Sequence, residues 1–239
     1  MGSAGTGGIV GRGSAPFSTG AYRGFRVGAE DLNRDFVGGP PHLFEAAGRE
    51  QLIVLLEHGL RFDSIVLDVG CGALRGGRWV IPLLDTGHYC GIEPVRAMVE
   101  RGLRDFVDPG IVALRRPRFD HNDRFDFSVF GVAFTHVVAR SIWTHSSKLQ
   151  IETMLESFLA CGTEESVFLA SFLPGGEEEG LEDYAGDAWV GRSHMSEQKG
   201  VVGHSWAWIV DACEGRGLVA RRLDRPPLHR QVWCSIQRT

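Results

Sequence analysis

The chain has no apolar run approaching the 20 or so residues that a membrane-spanning helix needs, so an integral membrane protein is not expected. Its start, MGSAGTGGIVGRGSAPF, lacks a charged stretch followed by an apolar one, so no secretory signal is read there and a cytoplasmic location is expected. No CxxC pair occurs. The five cysteines, Cys71, Cys90, Cys161, Cys213 and Cys234, are scattered and odd in number, which fits free thiols in a reducing compartment better than a disulfide frame or a zinc site. An excess of positive charge is also missing. The net charge of -5 gives no broad basic field, which weighs against a nucleic acid held through its phosphates. There is no internal repeat, and the acidic run Glu177-Glu178-Glu179 reads as a solvated loop face, with no metal site expected.

What is present is the composition of a globular protein. Hydrophobic residues make up 43% and charged residues 23% of 239 residues, enough for one domain with a full core. Residues 1–20, rich in Gly and Ser, read as a flexible tail, and 21–239 as a single domain. A helix is expected from Pro41 to about His58, where Phe44, Ala47, Leu52, Leu55 and Leu56 share a face. Strands are expected at Ser64–Val69, His88–Glu93, Ala113–Phe119, Val132–Arg140 and Ser166–Phe172. Helices are expected at Pro94–Phe106, Lys148–Leu159 and Trp206–Glu214. An insertion loop covers about 177–203, and two closing strands, Leu218–Leu223 and Gln231–Gln237, end the pattern. Apolar, β-branched runs alternating with helix-length segments point to parallel strands joined by right-handed crossovers.

The densest local signal is Asp68-Val69-Gly70-Cys71-Gly72 at the end of the first strand, with Glu93 ending the next. Glycines there let the chain turn sharply and let a ligand approach the backbone. Glu93 stands where a carboxylate accepts hydrogen bonds from two ribose hydroxyls. Asp68 is a poor neighbour for a pyrophosphate and a good one for a ligand carrying an ammonium and a sulfonium. An ordinary strand-turn-helix with incidental glycines would need three features to coincide by chance.

LDVGCG followed by GIEP resembles motif I and the acidic loop of class I S-adenosylmethionine-dependent methyltransferases. The longer GCGALRGG is similar to a subset of them in which the fourth-strand region runs on as Ser141-Ile142-Trp143-Thr144-His145 does here. The ending is also similar, with Gly217-Leu218 opening one strand and His229-Arg230-Gln231 leading into the last. The resemblance spans roughly Gly48 onwards. It implies a Rossmann-like α/β fold, with a seven-stranded, mostly parallel sheet, helices on both faces and a C-terminal antiparallel hairpin. It also implies S-adenosylmethionine as cofactor and S-adenosylhomocysteine as product. The backbone at Gly70, Cys71 and Gly72 would then contact the amino-acid part of the cofactor and Glu93 would hold the ribose, with Asp68, Ala73, Arg75, Pro94 and Ser141 also among the cofactor contacts. Asn122, Asp123 and Arg124 would meet the adenine, with Asp126 competing for that role. One departure stands out: members usually start strand four with Phe-Asp, and this chain has Phe134-Thr135.

Methyl transfer from a sulfonium is an in-line displacement, in which the protein aligns the nucleophile and excludes water. A base is needed only for an acceptor that arrives protonated, and His145 and His204 are the candidates. Each has a plainer role open to it, His145 in fixing its loop through a backbone hydrogen bond and His204 in capping the late helix. Trp143 and Trp206 are the candidate substrate contacts, with core packing as the alternative. The expected acceptor is a small molecule, a hydroxyl or carboxyl on a sugar or secondary metabolite, with no nucleic acid or membrane partner. N-methylation, methylation of protein or RNA, a nicotinamide-dependent oxidoreductase and a cofactor-binding module without catalysis are the other readings.

Overall fold

The computed structural model of the chain describes Met1 and residues 41–176, 181–191 and 200–239. Apart from Met1, the expected tail lies outside the described residues, as do 177–180 and 192–199 of the expected insertion. The element order is α1 (Phe44–Glu57), β1 (Val66–Val69), α2 (Gly77–Val80), β2 (Tyr89–Ile92), α3 (Arg96–Asp105), α4 (Pro109–Arg115), β3 (Arg118–Asp120), β4 (Phe134–Ala139), α5 (Lys148–Cys161), β5 (Gly162–Phe172), α6 (Trp206–Glu214), β6 (Leu218–Arg222) and β7 (Val232–Arg238).

Among the described residues, seven strands form one sheet in the order β3-β2-β1-β4-β5-β7-β6. Every neighbouring pair from β3 to β5 is parallel, and β7 runs antiparallel to both β5 and β6. The expected fold class therefore holds. Alternation along the strands builds two cores, because successive side chains face opposite sides. Leu67, Val137 and Phe168 join Met154 and Phe158 of α5 and Ile209 of α6 on one face. Val66, Val138 and Val167 join Val54 and Leu55 of α1 and Val99 of α3 on the other. Each such side chain removed from water contributes about 1.5–3 kcal/mol.

Local signals account for the helix starts. Ser147 opens α5 with a reciprocal cap: its hydroxyl accepts from the Gln150 N–H, and the Gln150 side chain accepts from the Ser147 N–H. Ser205, rather than His204, caps α6 by accepting from the Trp208 N–H. The strand expected over Ala113–Phe119 is not formed as read. Asp108 caps a helix by accepting from the Gly110 and Ile111 N–H groups, and Pro109 suits its first turn, so Ile111–Leu114 belong to α4. Pro117 then separates this helix from the short β3. Thr135 accepts from the Ile65 N–H at 3.0 Å and lies 3.1 Å from the Ile65 carbonyl, so its hydroxyl fastens β4 beside β1.

The strand order reverses between β1 and β4, and in open α/β sheets the crevice at that point receives ligands. The β6–β7 connection returns to the same end of the sheet. It closes with a tight turn at Leu228–Gln231 in which His229 (φ 55°) and Arg230 (φ 63°) are both left-handed. Glycine and asparagine normally occupy such positions, so this turn is strained. The pairing of β7 with β5 and β6, directly after the turn, holds it in place.

Candidate functional site

At the end of β1 the backbone bends back on itself. Gly70 and Gly72 have φ of 67° and 55°, and the Gly70 and Cys71 N–H groups donate to the Ile92 carbonyl. A side chain at Gly70 would collide with Ile142, which comes after β4, so a glycine is required where the two loops approach. Leu74 (φ 59°) and Ser141 (φ 64°), one in each loop, are left-handed without being glycine. Strain of this kind clusters where a site must be held in shape.

Glu93 closes β2 beside this loop and is buried. One carboxylate oxygen accepts from the Gly72 N–H at 3.1 Å and the other from the Val95 N–H at 2.9 Å. Burial pushes its pKa up, while the two backbone N–H groups and nearby His121 pull it down. Each oxygen keeps a further lone pair, so the group can still accept from two hydroxyls. His121 Nδ1 donates to the Glu93 carbonyl at 2.7 Å, and the Glu93 N–H donates to the Asp120 carbonyl, tying β2 and β3 at this end.

Beneath the loop, Asp68 accepts from the Tyr89 hydroxyl at 2.7 Å. Burial pushes the Asp68 carboxyl up to about 7, against the pull of the Tyr89 hydrogen bond and the Arg75 cation. Arg75 is brought down to about 10 by burial and by Arg140, with Asp68 and Glu50 opposing. The Cys71 thiol is pushed well up by burial and then by the Asp68 and Glu93 charges, so it is no nucleophile. Between Asp68's ordinary value of 3.8 and its folded value of about 7, the folded chain holds a proton that the unfolded chain has lost. Stability therefore falls as pH rises through that window and levels off above it. The urea midpoint should drop from about pH 5 to about pH 8, and Asp68→Asn should flatten the drop. An equally steep drop in the Asn variant would remove Asp68 as its source.

A second cluster lies at the C-terminal ends of β4 and β5. Arg140 and Glu50 form a buried ion pair at 3.2 Å. Arg140 also donates to the Gln231 side-chain oxygen at 2.6 Å. That oxygen accepts from the Ser171 hydroxyl at 2.8 Å, and the Gln231 amide nitrogen donates to Ser141 Oγ at 2.9 Å. Glu50 belongs to α1, so this helix reaches over the β1–β4 end of the sheet.

Several expected site residues are placed otherwise. Asn122 is spent on its own loop: its amide nitrogen donates to Asp120 Oδ1 and the Asp126 carbonyl, and its oxygen accepts from the Asp126 and Arg124 N–H groups. With its hydrogen bonds so used, it cannot also read a base edge. Asp123 and Arg124 are exposed beside it, and Asp126 caps the turn at Ser128. Burial pushes the Asp120 carboxyl up, yet the hydrogen bonds from Asn122 outweigh it and leave the pKa lowered.

Trp143 is completely buried, edge-on to Phe168, and belongs to the core rather than a substrate wall. Trp206 is half-buried and stacks on Phe172 with the Arg222 guanidinium over both rings. His204 is fully buried, with Nε2 at 3.0 Å from the Trp143 carbonyl and 3.1 Å from the Ser146 carbonyl. Nε2 must then carry the proton, and Nδ1 is sealed from solvent, so His204 is no base for an incoming molecule. Burial lowers its pKa, which keeps it neutral. His145 remains half-buried, stacks on Trp189 and lies with Nδ1 2.7 Å from the Val190 carbonyl. Burial lowers its pKa, against hydrogen bonds with the Val190 and Gly200 backbone.

Among the described residues no group of three or more His, Cys, Asp or Glu is placed to hold a metal, and no helix is long and apolar enough to cross a membrane.

The crevice at the β1–β4 switch, with its glycine loop and acidic strand end, is built on the Rossmann-like architecture that methyltransferase structures share with this chain. The sugar N-methyltransferase KedS8 from Streptoalloteichus sp ATCC 53650 superposes with a TM-score of 0.57 at 17% identity, over 99% of this chain and 99% of that one. The magnesium protoporphyrin IX methyltransferase ChlM from Synechocystis PCC 6803, with bound SAM, gives 0.57 at 13% identity, over 82% of this chain and 79% of the other. A DhpI–SAH complex gives 0.58 at 17% identity, over 88% and 91%. At these identities the likeness is one of fold. No protein-family model matches the chain, and no curated protein matches its sequence.

Proposed function

We propose that the chain is an S-adenosylmethionine-dependent methyltransferase acting on an oxygen or nitrogen atom of a small molecule. The observation that carries this reading is Glu93. It is a buried carboxylate at the end of β2, fixed by the Gly72 and Val95 N–H groups, with one lone pair on each oxygen left over. A ribose presents two adjacent hydroxyls to such a group. The left-handed glycine loop beside it gives close backbone approach, with Asp68 and the Arg75 cation lying beneath it. These residues fit the cofactor, which when bound supplies an electrophilic methyl group on a sulfonium. Ser141, across the crevice on the β4 side, completes the amino-acid end.

The expected acceptor is a hydroxyl or carboxyl on a sugar or secondary metabolite. The described histidines bear on whether an alcohol can be served. His204 is sealed in the core. His145 has Nδ1 on the Val190 carbonyl, so in the neutral ring Nε2 is the nitrogen left to accept a proton, and His145 stays the base candidate for an alcohol. A carboxylate or a neutral amine would need no base. Structural neighbours described as glycopeptide and sugar N-methyltransferases are compatible with the amine.

The test is calorimetric titration of the protein with S-adenosylmethionine, S-adenosylhomocysteine and NAD in parallel. Binding of both adenosyl compounds without NAD is the expected result. Binding of NAD alone would overturn the reading in favour of an oxidoreductase.

A further inference from the structure

Ser141 holds a left-handed conformation (φ 64°) that a residue with a side chain disfavours. Three hydrogen bonds hold it there. Its N–H donates to Ser171 Oγ at 2.8 Å, its carbonyl accepts from the Thr144 hydroxyl at 3.1 Å, and its own Oγ accepts from the Gln231 amide at 2.9 Å. The direction of this last bond is dictated by Arg140. A guanidinium only donates, so the end of the Gln231 amide that meets Arg140 must be oxygen, and that oxygen also takes the Ser171 proton. The nitrogen end is left to face Ser141. Arg140 is in turn fixed by Glu50.

The protons around Ser141 can now be placed. Thr144 Oγ1 lies 3.2 Å from Ser141 Oγ, and the Thr144 proton goes to the Ser141 carbonyl. With its own proton on that carbonyl, Thr144 Oγ1 is open to accept the Ser141 proton. One lone pair of Ser141 Oγ then takes the Gln231 amide, and one remains as an acceptor. Ser141 stands after β4, in the loop whose Ile142 meets Gly70.

We infer that Gln231 is a positioning residue for the amino-acid end of the cofactor: it orients Ser141 so that the open lone pair receives an ammonium group. This inference rests on the methyltransferase reading above. Gln231 touches none of the reacting atoms. It arrives from the far side of the chain, directly after the strained His229–Arg230 turn, and that turn sets its register at the head of β7.

The test compares two ligands on two variants. S-adenosylhomocysteine has the amino-acid end, and 5′-methylthioadenosine keeps the nucleoside but lacks that end. In Gln231→Ala, affinity for S-adenosylhomocysteine should fall about tenfold, and affinity for 5′-methylthioadenosine should stay within about twofold. Ser171→Ala leaves Arg140 and Gln231 in contact while removing the acceptor of the Ser141 N–H. It should show the same selective loss, and it keeps the test alive if Gln231→Ala does not fold. Calorimetry gives the affinities and a melting curve reports folding. Equal losses for both ligands would mean a merely structural role and overturn the inference, as would unchanged affinity in folded variants. Wild-type protein that binds neither ligand would overturn the methyltransferase reading itself, and the role of Gln231 with it.

Discussion

Glu93→Ala should lose affinity for S-adenosylmethionine by at least about tenfold while still melting cooperatively. Hydrogen bonds to a charged group contribute about 1.5–3 kcal/mol each, and a paired ribose contact involves two of them. Stability should change far less than affinity, for two opposing reasons. Removing the carboxylate strands the Gly72 and Val95 N–H groups, but it also removes a negative charge that burial disfavours. Glu93→Gln separates charge from shape. It keeps one acceptor for the ribose and should fall between wild type and Ala. Calorimetry on folded variants decides the matter: wild-type affinity in Glu93→Ala would mean that the ribose sits elsewhere.

Arg140→Met should be the most destabilising single change at the site. It leaves Glu50 buried without its partner, and breaking one side of a buried ion pair costs about 3–5 kcal/mol. The side-chain oxygen of Gln231 loses a donor at the same time. For a domain of this size the melting temperature should drop on the order of 10 °C. Pairing the change with Glu50→Gln should recover part of the loss, because the carboxylate stranded by the first change is then gone. A single variant that melts within about 2 °C of wild type would show that water reaches Glu50 and screens it.

The fold is legible where one short window carries both pattern and punctuation. Val66–Val69 before Gly70, Tyr89–Ile92 before Glu93, and the span of α6 can be read directly, because burial on both faces and capping residues are local matters. The strand read over Ala113–Phe119 is right only at its end: Arg118 and Phe119 belong to β3, whereas Ala113–Arg115 finish α4, a helix whose start Asp108-Pro109 marks. The site divides in the same way. Gly70, Gly72 and Glu93 are visible because strand ends place them. Glu50, Arg140 and Gln231 are not, because they meet from positions about 90 residues apart and each alone looks like a surface residue. Residue type draws Trp143 and His204 to the site, whereas packing against Phe168 and two backbone carbonyls claims them for the core.

The position of β7 has a consequence for how the protein is made. It lies between β5 and β6 although it comes after both in the chain. A nascent chain emerging from its N-terminus can assemble β1 to β5 first, and β5 must then wait with an unpaired edge. That edge carries Phe168, Leu169, Ala170 and Phe172, whose backbone groups later pair with Ile236, Ser235, Cys234 and Val232. An apolar strand edge left open recruits strands from other molecules. Translation that stalls before Val232 would thus release a chain prone to association, and a chaperone that shields one sheet edge would act at that step.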